Sequence, residues 1–129
     1  MTTKYPNKKL VVLSCMDSRL VELLPKSMNL CNGDVKIVKS SGAIVNHPFG
    51  SIMRSILVAL YELKAEEVFI VGHNDCGMSA VDPDSMIEHM KERGITIPVH
   101  GLVMEPKTGY LDLLSDGNAY IENKIKRNE

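Results

Sequence analysis

Cys15, His73 and Cys76 are the residues of this sequence whose types and spacing best suit a metal ion. Cys15 closes the apolar run L-V-V-L-S-C, His73 follows the run E-V-F-I-V-G, and Cys76 comes three residues after His73. A thiolate and an imidazole three residues apart on one turn can reach a common ion, and a cysteine at the end of a neighbouring strand supplies a third donor. Zinc accepts such a mixed sulfur and nitrogen set. Three protein ligands with an open fourth position is the catalytic arrangement rather than the structural one. Either half alone is weak, because a cysteine after a strand is commonly plain core.

Two such runs reach one ion only if both are strands ending at the same sheet edge. The order of segments supports this: strand (10–14), helix (18–30), strand (35–39), a glycine turn, long helix (49–63), strand (67–72) and a helix from 77. Continuous Val/Ile/Leu runs alternating with helices are the pattern of an α/β fold, a mainly parallel sheet flanked by helices. In such sheets ligands bind beyond the carboxyl ends of the strands, where Cys15 and His73 fall. Ile52, Ile56, Ala59 and Leu63 recur at three- and four-residue steps and give the long helix one apolar face. Residues 98–106 read as a last strand, with a turn at Thr108-Gly109 into an antiparallel return, and residues 118–129 read as a surface helix.

C-M-D-S-R-L at 15–20 together with G-H-N-D-C-G-M at 72–78 resembles the β-class carbonic anhydrases, whose paired motifs are C-x-D-x-R and H-x-x-C. The resemblance extends from about residue 10 to 114. It implies a β-carbonic anhydrase-like fold, one zinc ion per chain on Cys15, His73 and Cys76, and reversible hydration of carbon dioxide to bicarbonate. It further implies that Asp17 and Arg19 are a catalytic dyad controlling the fourth zinc position, with Arg19 holding Asp17 ionised and oriented. A homodimer or higher homo-oligomer is expected, since a chain of this size retains much surface when folded alone. The alternatives are a zinc-binding relative without that activity, regulatory or scaffolding, and a hydrolase of a carbon dioxide analogue such as COS or CS₂.

Two stretches depart from the family pattern. K-S-S-G-A stands at 39–43 where relatives often carry R-N-A-G-G, so the glycine is kept and the asparagine lost. M-K-E-R-G-I-T-I-P-V-H-G-L joins helix to final strand directly, where relatives carry a substantial, partly helical segment.

Composition bounds the rest. The 129 residues are 44% hydrophobic and 24% charged, with a formal net charge of -1, which suits one domain spanning 1–129. No basic cluster points to nucleic acid or an anionic membrane surface. Three cysteines argue against a disulfide framework, and the N-terminus lacks a signal peptide's apolar core, so a cytoplasmic location is expected. Among the remaining candidates, Cys31 reads as a spare thiol, His89 as solvated and His100 as a strand residue. His47 reads as a secondary candidate for proton shuttling, and Asp75 as a helix cap or orienting group rather than a ligand.

Overall fold

In the computed structural model, which describes residues 2–94, 98 and 100–114, the chain divides into two compact units, Met1–Pro83 and Asp84–Glu129. The first unit is built on β1 (Leu10–Cys15), β2 (Val35–Ser40) and β3 (Glu67–Val71), a parallel sheet in the order β2-β1-β3. This is the α/β fold expected. β1 is central because its residues are the most uniformly apolar, and a parallel strand covered on both faces needs such a run. Val11, Val12 and Leu13 have no exposed surface at all. Burying side chains of this kind stabilises by about 1.5–3 kcal/mol each relative to leaving them in water.

The register aligns the strand ends that matter. Cys15 of β1 sits opposite Ser40 of β2, and Ser14 sits opposite Val71 of β3, two residues before His73. Parallel pairing in this register delivers Cys15 and the loop after β3 to the same edge of the sheet.

Between the strands lie α1 (Leu20–Ser27) and α2 (Ser51–Tyr61). α1 is shorter than the expected 18–30 and carries Pro25 within it. On α2, Ile56 and Ala59 are buried and Ile52 packs beside them against the cluster of Val11, Leu13, Ala43 and Ala65. Leu63 lies past the end of α2, so the apolar face is one position shorter than its spacing suggests.

The helix expected from 77 is two pieces. A 3₁₀ turn over Gly77–Ala80 ends at Val81, which is extended, and α3 (Pro83–Arg93) begins only at Pro83. Proline suits the first position of a helix but pushes the residue before it out of helical conformation, which accounts for the break. In the second unit, β4 (Gly101–Glu105) and β5 (Tyr110–Leu114) form an antiparallel hairpin. Its turn closes through the Gly109 N–H donating to the Glu105 carbonyl at 2.8 Å, with Gly109 at φ 75°. The surface helix expected at 118–129 lies outside the described residues. No helix among the described residues is long and apolar enough to cross a membrane.

Among the described residues of β3, Val68, Phe69 and Ile70 are 38%, 40% and 64% exposed. β1 carries the core and β3 forms an edge of the three-stranded sheet.

Candidate metal centre

The donor atoms of Cys15, His73 and Cys76 all lie within 4.8 Å of one another. Cys15 is buried at the end of β1, and the Cys76 thiol reaches it from the loop after β3 at an Sγ···Sγ distance of 3.8 Å. Two sulfurs each about 2.3 Å from one tetrahedral zinc would be separated by about 3.8 Å, so the observed spacing fits the ion.

His73 is set up as a ligand by its own loop. Its Nδ1 lies 2.8 Å from the Asn74 carbonyl, to which it can only donate. That bond places the proton on Nδ1 and leaves a lone pair on Nε2, the tautomer that lets Nε2 bind a metal. Nε2 is buried and has no hydrogen-bond partner, lying 3.7 Å from Asp17 Oδ2. An orphaned buried ring nitrogen facing two thiols is costly unless an ion or proton occupies the site.

The charges in the cluster respond to one another. The His73 imidazole draws the Cys15 thiol down to about 7 against the opposing effect of burial, and the Gly42 N–H adds to the lowering. His73 is in turn raised, first by Cys15 and then by the Asn74 carbonyl. A metal binding here would displace these protons, which makes its retention dependent on pH.

Asp17 and Arg19 occupy the turn that leaves β1. Arg19 Nε donates to Asp17 Oδ1 at 2.9 Å and Nη2 to Oδ2 at 2.7 Å, while the Arg19 backbone N–H donates to Oδ1 at 2.8 Å. The guanidinium, then the backbone N–H, hold the Asp17 carboxyl well below the usual carboxylate range. Asp17 is therefore ionised, fixed in orientation and pointed toward His73.

The third side of the site is the glycine turn after β2. Gly42, at φ 74°, donates its N–H to Cys15 Sγ at 3.3 Å. The positive φ favours glycine, and a Cβ at this position would lie a tight 3.1 Å from Met78 Cγ and 3.2 Å from Ile44 Cδ1. Cys15, Gly42 and Cys76 open into a cleft of about 340 Å³ whose apolar wall is Met16, Met78 and Val81.

The structure thus brings together all five predicted site residues. His47 instead accepts the Phe49 N–H on Nδ1, and Cys31 and His89 are exposed. Asp75 caps no helix: it contacts Arg19. That contact, and the methionines of the cleft wall, carry no sequence signal, because nothing in residue type or spacing predicts which loop atoms meet across 56 positions.

Comparison with known proteins points to the family that the sequence motifs resemble. The carbonic anhydrase family model matches residues 10–96, and "Putative carbonic anhydrase YtiB" of Bacillus subtilis is 49% identical over 160 aligned positions, covering 90% of this chain and 86% of the relative. The chain belongs to the β-class carbonic anhydrase family. Within the family, β-carbonic anhydrase isoform I of Trichomonas vaginalis superposes with a TM-score of 0.70 at 25% identity, covering 88% of this chain and 85% of that one. A carbon disulfide hydrolase of Acidithiobacillus thiooxidans is 26% identical over 91 residues, covering 70% of this chain and 44% of the relative. Ninety per cent of 129 residues is about 116, so about 44 of the 160 positions aligned with YtiB have no counterpart here.

Proposed function

We propose that the protein catalyses the reversible hydration of carbon dioxide to bicarbonate and a proton, with one zinc ion held by Cys15, His73 and Cys76. The observation that carries this reading is the Asp17 carboxylate, ionised by Arg19 and standing 3.7 Å from the unpartnered His73 Nε2. A purely structural ion would call for a fourth protein ligand rather than an oriented acceptor. Family membership supports the same chemistry.

Bound there, zinc supplies Lewis-acid activation of water. The chain's residues do the rest. Cys15 and Cys76, as thiolates, balance the charge of the ion, and the Gly42 N–H steadies the Cys15 sulfur. Asp17 accepts a hydrogen bond from the hydroxyl of the attacking water, turning its oxygen lone pair toward the substrate carbon. Arg19 keeps Asp17 in that orientation and away from the ligand position. Met16, Met78 and Val81 offer an apolar wall to a small substrate that carries no charge until the carbon–oxygen bond forms.

A second reading, hydrolysis of CS₂ or COS, draws support from the likeness to the carbon disulfide hydrolase and from the same apolar wall. A homodimer or higher homo-oligomer is proposed as the working unit, supported by the apolar surface of Phe49, just before α2, and of Leu57, Val58 and Tyr61 on it, of which Phe49 is 91% and Tyr61 80% exposed. Stopped-flow hydration of carbon dioxide by the zinc-loaded protein, beside hydrogen sulfide release from CS₂ and COS, tests the assignment. Fast hydration supports it, sulfide release without hydration favours the second reading, and neither activity leaves a non-catalytic zinc protein.

A further inference from the structure

Arg19 makes more bonds than orienting Asp17 requires. Besides its two bonds to the Asp17 carboxylate, Nη2 donates to the backbone carbonyl of Asp75 at 2.8 Å and Nη1 donates to Asp75 Oδ2 at 3.1 Å. Asp75 stands between His73 and Cys76, and its φ of 56° is a left-handed conformation that side chains other than Asn and Asp seldom adopt. One guanidinium therefore bridges the turn after β1, just past Cys15, to the loop after β3, which carries the other two donors.

We propose that Arg19 and Asp75 form a staple that sets the spacing of the zinc-binding residues, with the Asp75 backbone as its working part. The Asp75 side chain is 91% exposed, and an ion pair that solvated holds little. Its carbonyl, by contrast, receives a charge-assisted bond that depends on the left-handed backbone rather than on the side chain. Arginine is required because its planar fork serves Asp17 and Asp75 together, which a lysine's single ammonium does not. Asp75 is thus a positioning residue, and Arg19 serves assembly of the site as well as the orientation of Asp17.

The staple rests on the zinc reading above, and the rate at which the zinc-loaded protein yields its metal to a chromogenic chelator tests both. Asp75→Asn and Asp75→Gly tolerate the left-handed backbone and keep the carbonyl bond, so each releases zinc within about twofold of the parent. Asp75→Val, whose branched Cβ resists that backbone, and Arg19→Lys each release it roughly tenfold faster, the lower range for loss of a group supporting a metal ligand. The combined variant is no faster than Arg19→Lys alone. With cobalt in place of zinc, the visible absorption, which reports ligand geometry, changes in Asp75→Val and not in Asp75→Asn. Parent-like release by Asp75→Val or Arg19→Lys, multiplied effects in the combined variant, or an Asp75→Asn as fast as Asp75→Val overturns the staple. Should Asp75→Val fail to fold by circular dichroism, Arg19→Lys and Asp75→Asn still decide. A parent protein that retains no zinc removes the metal reading and the staple with it.

Discussion

Cys15 Sγ and Cys76 Sγ lie 3.8 Å apart although 61 residues separate them in the chain. The distance follows from parallel pairing of β1 with β3, which brings both strand ends to one edge, and it is the spacing two thiolates take on one tetrahedral zinc. Neither strand end brings the two sulfurs together alone.

Replacing Cys76 with Ser is expected to abolish tight zinc retention and to lower thermal stability in the same variant, because metal binding and folding are linked. Elemental analysis beside a melting curve checks this. Full zinc content in Cys76→Ser would remove Cys76 from the ligand set.

Asp17→Asn keeps the shape of the side chain and removes its charge. Because Asp17 is assigned as an acceptor and not a ligand, zinc content should stay near one per chain while kcat/KM for carbon dioxide hydration falls by about 100-fold or more. A variant that loses zinc in proportion to activity would make Asp17 part of the metal shell.

Gly42→Ala places a methyl at φ 74° and within 3.1 Å of Met78 Cγ. The strain is expected to cost about 1–3 kcal/mol in chemical denaturation and to disturb the N–H bond to Cys15, so zinc should bind more weakly as well. An alanine variant as stable as the parent would show that the turn has another low-energy conformation.

Asp34 gives the clearest pH dependence outside the site. The Cys31 N–H donates to Asp34 Oδ2 at 2.9 Å and Lys8 stands 3.8 Å away, and these, the N–H first, hold its carboxyl below the ordinary 3.8. A depressed carboxyl stabilises the fold above its unfolded value and loses that contribution as pH falls through the folded one. Asp34→Asn should therefore lower the denaturation midpoint at pH 7, and the gap to the parent should close below about pH 4. A gap that stays constant from pH 7 to 3 would show that the charge contributes nothing.

The legible part of this protein was what a single chain segment encodes. β1, β2, β3 and α2 announce themselves through apolar runs and helical spacing, and Cys15, His73 and Cys76 stand where such runs stop. The break at Pro83 was legible in principle, since proline restricts the residue before it, but the glycine and small residues at 77–80 mask it. What needs two segments at once was not legible: the register that sets Cys15 opposite Ser40, the Gly42 N–H aimed at a sulfur 27 residues away, and the reach of Arg19 to Asp75. The exposure of β3 likewise depends on what packs over it, which its own composition cannot state.

Adding zinc stepwise to metal-stripped protein, and following carbon dioxide hydration by stopped flow at each step, tests the central claim most directly. The rate should rise linearly with zinc and level off at one ion per chain, with Cys76→Ser giving no rise. Zinc bound fully at one per chain with hydration no faster than buffer alone would contradict it.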